Sequence, residues 1–207
     1  MKKLILLLTA SILSLVLFGC SNNNTFTSRN NTTMEKYWII TTWGELTSQL
    51  TFILSDKVNV EKVTYTNRYG ITLAAHLYTA KDIDKSKKYP AIVIWTPYGW
   101  VKEQWAWIYA QNMAERWFVA MAFDESFNGE SGWEPRHTSS PDIFVEDFSA
   151  WIDFLGMLDY VDRDKIWVIW ICGAGWFSLT ASQVDPRIKA VVTASMYDIS
   201  SMHRDGF

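Results

Sequence analysis

The stretch Trp170-Ile171-Cys172-Gly173-Ala174-Gly175-Trp176 predicts a sharp turn from a β-strand into an α-helix. It follows the strand-like segment 165–169 and precedes a helix-like segment. In such a turn the residues after the central one must be small, because the strand and helix backbones nearly touch there. Glycine and alanine fill the three positions after Cys172, as this geometry requires.

This turn makes Cys172 the candidate nucleophile. It places the thiol at the N-terminus of a helix, where the helix dipole and free backbone N–H groups favour the thiolate. A strand–nucleophile–helix turn of this kind is a nucleophile elbow. The alternative is a buried, inert cysteine of the sort common in sheets.

Tryptophan stands at turn positions along the chain, where 12 Trp outnumber 10 Gly although glycine normally makes up about 7% of residues. Trp170 and Trp176 flank the predicted turn, where an indole is not expected to fit. Trp100, Trp117 and Trp133 occupy other positions that suit glycine. One hypothesis is that the gene uses a code in which UGA means glycine and was translated with UGA as tryptophan. The alternative is a genuinely Trp-rich chain, whose indoles serve as core residues or sugar-stacking platforms.

The N-terminus predicts export. Met1-Lys2-Lys3 and the apolar segment 4–18 have the pattern of a signal peptide that is too short to span a membrane comfortably. Leu17-Phe18-Gly19-Cys20 resembles a bacterial lipobox, in which Cys20 is lipidated and anchors the protein to a membrane of the cell envelope. The alternative is a buried structural cysteine at this position. Residues 21–57 then form a Ser/Asn/Thr-rich tether and a lead-in to the folded domain.

Composition excludes several other classes of protein. Cys20 and Cys172 are the only cysteines, so lipidation of Cys20 leaves no disulfide framework. The net charge of −3 provides no basic surface for nucleic acid. His76, His137 and His203 are far apart and lack the spacings of zinc ligands, and we expect neither a metal nor another cofactor.

The order of elements predicts an α/β fold. Two alternating segments, 58–66 and 71–79, predict an antiparallel hairpin. The rest alternates strands with helices, at 91–95 (strand), 101–115 (helix), 118–123 (strand), 143–158 (helix capped by Asp142), 165–171 (strand), 173–184 (helix) and 188–195 (strand). This alternation predicts a doubly wound, mostly parallel sheet in one domain, 58–207. Because the chain ends just after a predicted strand, we expect a C-terminally truncated domain.

At this point the chain resembles the α/β-hydrolase superfamily, specifically the dienelactone-hydrolase-like branch in which cysteine can replace serine at the elbow. The resemblance spans about 58–207 and is strongest in 95–104, in 128–136 and around Cys172. It becomes close when glycine replaces eight tryptophans, which independently supports the miscoding hypothesis; these are Trp95, Trp100, Trp107, Trp117, Trp133, Trp167, Trp170 and Trp176.

The resemblance implies where the oxyanion donors lie. The backbone N–H of Gly173 would supply one donor and the turn after the strand 91–94 the other. Pro97 has no N–H, so Tyr98 is the expected second donor. Ser131 also becomes the centre of a formal G-x-S-x-G when glycine replaces Trp133, but no helix begins at Ser131, and a structural or substrate-facing loop is expected there.

In this superfamily the acid and then the histidine base follow the nucleophile. Asp198 and His203 satisfy that order. They lie just beyond the strand 188–195, whereas the superfamily takes its acid and base from loops after later strands. We therefore expect the true pair to lie beyond residue 207, with Asp198 a loop or helix-capping residue and His203 an exposed polar residue.

The leading hypothesis is an exported, lipid-anchored hydrolase that attacks a small-molecule ester or related acyl bond through Cys172, and that is inactive as this fragment. The second is a non-catalytic surface lipoprotein that binds glycans or a partner through exposed tryptophans. A stacking surface needs at least two coplanar, exposed indoles, whereas miscoded glycines would lie in cramped turns. A catalytically inactive protein with the same fold is the third possibility.

Overall fold

A seven-stranded mixed sheet lies at the centre of the computed structural model. The structure describes residues 42–44, 52–196, 198, 201, 204 and 205, all within the unit Thr33–Phe207. The predicted signal peptide, Cys20 and most of the predicted tether lie outside these residues. Among the described helices, none combines the length and the apolar character that a membrane span requires.

The strands form an antiparallel half and a parallel half. In chain order they are β1 (Thr42–Gly44), β2 (Val58–Thr66), β3 (Thr72–Ala80), β4 (Tyr89–Trp95), β5 (Val119–Phe123), β6 (Val161–Ile171) and β7 (Ile188–Ala194). Their order in the sheet is β1-β2-β3-β5-β4-β6-β7. Pairs from β1 to β5 are antiparallel, and β5, β4, β6 and β7 are parallel. The predicted β2–β3 hairpin is confirmed, and β1 extends the sheet into the segment expected to be a lead-in.

Helices cover both faces of this sheet. They are α1 (Ala106–Ala114), α2 (Pro141–Met157) and α3 (Gly175–Val184). Alternate residues of β4 and β5 face opposite sides: one set packs in a cluster with α1, and the other packs with α2 and α3. Both strands are therefore apolar throughout, and the predicted doubly wound α/β fold is confirmed.

Two helix starts differ from the prediction. α1 begins at Ala106 rather than 101, because hydrogen bonds hold 96–102 as a loop; Lys102 N–H, for example, donates to Asp124 Oδ1 at 2.8 Å. α2 begins at Pro141, and Ser140 rather than Asp142 occupies the N-cap position. Proline at the first helical position is pre-organised for the helix, so Asp142 lies inside the first turn and the predicted cap is wrong.

The expectation that an indole cannot fit at position 170 is wrong in this structure. Trp170 is fully buried, and its ring centroid lies 4.8 Å from that of Trp95, its register partner on β4. Phe148 and Phe177 complete the contacts, at 4.6 and 6.5 Å. The side chain fits because it lies between the sheet and the helices rather than in the turn itself. Trp176, on α3, is 40% exposed.

Two other suspect tryptophans have the backbone conformation that glycine prefers. Trp117 has φ 66° and Trp133 has φ 86°. Residues other than glycine rarely adopt this left-handed backbone conformation, because it costs about 1–2 kcal/mol for a residue with a Cβ. The prediction that these two positions are glycine-like turns is therefore confirmed in geometry.

We expect Trp133→Gly to be about 1 kcal/mol more stable than Trp133→Ala, because both remove an exposed indole and only alanine keeps a Cβ in the left-handed region. Urea unfolding measures both free energies of unfolding. At Tyr109, inside α1, we expect the alanine variant to be more stable than the glycine variant, since glycine is about 1 kcal/mol less favourable than alanine in a helix. Equal stabilities of the two Trp133 variants would contradict the assignment of strain.

A buried carboxyl group lies beside the aromatic ring of Trp95, which packs against that of Trp170. Glu125 follows β5 and is almost fully buried. Trp95 Nε1 donates to its Oε2 at 2.8 Å, and Asn128 Nδ2 donates to its Oε1 at 3.2 Å. Burial nevertheless outweighs these hydrogen bonds and raises the pKa of Glu125 to about 7.

The raised pKa of Glu125 makes its ionisation unfavourable to the fold. Between about pH 4 and 7 the folded protein binds more protons at this group than the unfolded chain does, so its contribution to stability falls as pH rises. We expect the stability of Glu125→Gln relative to wild type to increase with pH. The increase between about pH 4.5 and 7.5 is expected to be on the order of 2 kcal/mol. Urea unfolding across that range tests this, and Glu115→Gln, at an exposed carboxyl, gives the effect of net charge alone. A difference independent of pH would refute the assignment.

Candidate active site

Cys172 lies at the carboxyl edge of the parallel half of the sheet. It directly follows β6, whose last residues pair with the ends of β4 and β7; Trp170 pairs with Trp95, and Ile171 with Ala194. Open α/β sheets place their ligand sites at this edge. The predicted position of Cys172, in a turn between a strand and a helix, is confirmed.

The backbone of Cys172 changes direction within one residue. Ile171 is still extended, with φ −120° and ψ 129°, whereas Cys172 has φ 66°. Residues Cys172–Ala174 then form a 3-10 turn that leads into α3 at Gly175. A residue with a side chain in this conformation costs about 1–3 kcal/mol and persists only where the surroundings impose it. The thiol is free and half-buried.

Close packing requires a glycine at position 175. Gly175 is buried, and a Cβ there would overlap the side chain of Met196, just after β7. Only glycine therefore lets α3 pass this close to the end of β7. The requirement for small residues, which the sequence predicted, is thus confirmed at Gly175.

The two predicted oxyanion donors lie on neighbouring segments. Gly173 belongs to the turn after β6, where the first backbone N–H groups have no partner within the helix. Tyr98 lies three residues beyond β4, the strand next to β6. Tyr98 is 44% exposed, and its backbone N–H donates to none of the described residues. Both groups are thus on loops that leave the same edge of the sheet.

Of the predicted acid and base, only Asp198 lies among the described residues. Asp198 is exposed beyond β7, and its Oδ1 accepts a hydrogen bond at 3.1 Å from the backbone N–H of Ser201. A bond to the third residue onward is typical of a helix cap, as the capping alternative predicted. His203 lies outside the described residues.

Ser131 has a structural role. Its hydroxyl is buried, accepts a hydrogen bond from the Ala74 backbone N–H at 2.9 Å, and donates to the Asp124 carbonyl at 2.7 Å. Its hydroxyl thus ties the loop after β5 to β3. The structure therefore agrees with a loop position for Ser131 rather than with a nucleophile.

A buried ion cluster near this edge was missed by the sequence analysis. Lys102 is fully buried, and its Nζ contacts Asp124 Oδ2 at 2.8 Å and one oxygen each of Glu103 and Glu130 at 2.7 Å. Burial opposes its charge, but these carboxylates raise the pKa of Lys102. Burial likewise raises the pKa of Glu130, but hydrogen bonds from Lys102 and Lys62 lower it to about 2. Lys102 and Glu130 are thus held in their charged forms.

His76, Glu103 and Glu130 offer ligand atoms within 4.8 Å of one another, which is close enough to hold a metal ion. The Lys102 ammonium already contacts both carboxylates. Burial first, and then the charge of Lys102, lower the pKa of His76 to about 4, so the imidazole is neutral. These groups therefore suit a cluster centred on an ammonium better than a divalent cation, which the ammonium would repel.

One sequence signal could have identified this cluster. Asp124 and Glu125 directly follow the wholly buried strand β5, and acidic residues at the end of a buried strand are unusual unless paired. Lys102 gave no signal of its own, since a lysine in a charged segment is normally exposed. Only the fold brings residues from β2, β3 and two loops together.

No protein-family model matches the chain. The chain is 48% identical over 195 residues to the uncharacterized protein PA2218 of Pseudomonas aeruginosa, across 93% of this chain and 51% of that protein. The crystal structure of PA2218 superimposes with a TM-score of 0.74, at 53% identity, over 79% of this chain and 51% of that one. The chain is also 30% identical over 139 residues to the acyltransferase drtE of Aspergillus calidoustus, across 67% of this chain and 44% of the relative.

A structural neighbour with a stated fold agrees with the topology. The α/β hydrolase GrgF from Penicillium sp. superimposes with a TM-score of 0.65 at 20% identity, over 71% of this chain and 49% of that one. The chain thus spans about half the length of the relatives that it matches. The described part of this chain has an α/β-hydrolase fold, as its resemblance to that superfamily predicts.

Proposed function

We propose that this protein hydrolyses small-molecule esters or related acyl bonds and that Cys172 is its nucleophile, as in the dienelactone-hydrolase-like branch of the superfamily. The observation that carries the proposal is the left-handed backbone of Cys172, φ 66°, between β6 and α3. Backbone strain of this kind concentrates at functional sites. The acyltransferase drtE, at 30% identity, supports acyl chemistry in particular.

The proposed reaction has two steps. The Cys172 thiolate attacks the carbonyl carbon, and the backbone N–H groups of Gly173 and Tyr98 donate to the oxygen that becomes negative. Collapse of this intermediate breaks the bond to the leaving alkoxide, which takes up a proton, and leaves a thioester on Cys172. Water then attacks the thioester, releasing the acid and restoring the thiol.

Proton transfer in this reaction needs two further groups. A leaving alkoxide needs a general acid, and the attacking water needs a general base. Asp198 caps a helical turn, and we propose, as the resemblance to the superfamily implies, that the acid and the histidine base come from loops after later strands. The helix N-terminus next to Cys172 cannot donate a proton to the leaving group.

We further propose that the protein is exported and that Cys20 anchors it through a lipid to a membrane of the bacterial cell envelope. The proposal rests on the charged start, the short apolar segment and the lipobox-like residues of the first 20 positions. The Ser/Asn/Thr-rich segment that follows would hold the hydrolase domain away from the lipid surface.

The exposed tryptophans do not form the stacking surface that the glycan-binding alternative requires. Trp100, Trp133 and Trp176 are 41%, 55% and 40% exposed, which a binding surface would need. Their geometry does not meet the second requirement, because Trp100 is tilted by 59° to its neighbour Trp105. Among the described residues, none of the three stacks coplanar with another indole.

We expect p-nitrophenyl acetate to acetylate Cys172 once and to turn over slowly. Acylation proceeds because p-nitrophenolate leaves without a general acid, whereas release of the acetyl group needs a base. A burst of p-nitrophenolate and peptide mass mapping measure the reaction. Cys172→Ala is expected to abolish the burst and Ser131→Ala to retain it. Acetylation at Ser131 or Cys20, with Cys172 unmodified, would contradict the proposal.

We also propose that UGA encodes glycine in the source gene, so that eight of the tryptophans are glycine in the natural protein. The left-handed backbones of Trp117 and Trp133 support this. So does the buried indole N–H of Trp170, which has no hydrogen-bond partner among the described residues and whose burial unpaired costs about 1–3 kcal/mol.

Sequencing the gene tests the proposed code directly. We expect UGA at codons 117, 133, 170 and 176, and mass spectrometry of the protein from its own organism is expected to find glycine in the matching peptides. Glycine is expected because backbone geometry at positions 117 and 133 favours it. UGG codons, or tryptophan in those peptides, would exclude the proposal.

A further inference from the structure

The loop after β4, residues 96–102, is held at its base and exposed at its tip. Tyr98, Gly99 and Trp100 are exposed, so burial does not hold them in place. The Trp100 carbonyl accepts two hydrogen bonds, from Thr96 Oγ1 at 2.9 Å and from Asn128 Nδ2 at 3.1 Å. The position of the tip therefore depends on polar contacts, one of which comes from the loop after β5.

The end of the same loop is anchored more strongly. Asp124, the first residue after β5, binds Lys102 twice: Oδ1 accepts from the backbone N–H and Oδ2 accepts from Nζ, both at 2.8 Å. The Asp124 Oδ2 also accepts from the Glu130 backbone N–H at 2.9 Å. One buried carboxylate thus connects the two loops that follow the adjacent strands β4 and β5.

Charge and burial make this anchor difficult to displace. Both Lys102 and Asp124 are fully buried, so neither can exchange its partner for water without a large cost. Glu103 and Glu130 each contact the Lys102 ammonium at 2.7 Å. The ammonium therefore has three carboxylate partners, which together fix its position.

We propose that Asp124 and Lys102 are positioning residues for the oxyanion site: they hold the loop 96–102 so that the Tyr98 N–H faces the carbonyl oxygen of a substrate on Cys172. The inference rests on the proposed function. β4 lies beside β6, with Trp95 paired to Trp170, so the loop leaves the sheet next to Cys172. An oxyanion donor acts only within about 2.7–3.1 Å of the developing charge. A small displacement of the loop therefore removes its contribution.

Two reactions of the same thiol test this role. Acylation of Cys172 by p-nitrophenyl acetate develops an oxyanion, whereas alkylation by iodoacetamide displaces iodide and develops none. We expect Asp124→Asn to lower the acylation rate constant about tenfold or more and to leave the alkylation rate constant within about twofold, since the thiol itself is untouched. Peptide mapping separates Cys172 from Cys20.

Two further variants keep the test decisive. Asp142→Asn, at an exposed position of α2, is the matched control and is expected to change neither rate. Asn128→Ala removes the hydrogen bonds to the Trp100 carbonyl and to Glu125 and leaves the Lys102–Asp124 pair intact, and it serves if Asp124→Asn fails to fold by circular dichroism. We expect it to lower acylation alone, by a smaller factor.

The outcomes separate this inference from the function on which it rests. If wild-type Cys172 is acylated and Asp124→Asn and Asn128→Ala keep its ratio of acylation to alkylation, the positioning role is wrong and the nucleophile stands. A parallel fall of both rates likewise refutes the positioning role, because it indicates general disruption. If wild-type Cys172 is alkylated but not acylated, the proposed function fails, and the role of Asp124 fails with it.

Discussion

The left-handed backbone of Cys172 is the constraint on which the site depends. At φ 66° the chain turns from β6 into α3 within one residue, and this is stable only because both neighbouring strands hold β6 in register. The same turn brings α3 against the end of β7, where Gly175 meets Met196. A conformation that costs about 1–3 kcal/mol is thus offset by the sheet pairing and packing around it. The thiol therefore receives its position from a strand that is paired on both sides.

The second loop of the site is positioned by charge rather than by packing. Burying an ion pair is weak evidence for stability, because apolar residues of similar volume often serve as well. The Lys102 ammonium and the Asp124 carboxylate are nevertheless fully buried. An apolar pair could not form directional hydrogen bonds, whereas Asp124 accepts hydrogen bonds from both the backbone and the side chain of Lys102. The pair therefore determines the path of the loop more than it contributes to stability.

Local patterns predicted the fold, and non-local contacts account for what they missed. The alternation in β2 and the apolar run of β4 depend on neighbours in the sequence, and both strands were identified. The start of α1 was misplaced because Asp124, 22 residues from Lys102, holds the chain in a loop. The Lys102 cluster was missed for the same reason. The turn at Cys172 was predicted because small residues at fixed spacing record its geometry locally.

The tryptophans show where a local argument is insufficient. Trp117 and Trp133 have backbone conformations that favour glycine, so the argument for glycine at each position depends on that residue alone. Trp95 and Trp170 are register partners whose ring centroids lie 4.8 Å apart. Whether glycine suits one of these positions therefore depends on the residue at the other. Removing one indole would leave a cavity beside the other, whereas removing both would let the sheet and its helices approach. The two positions are therefore expected to be glycine together or tryptophan together, and the stability of either single variant says little about the natural pair.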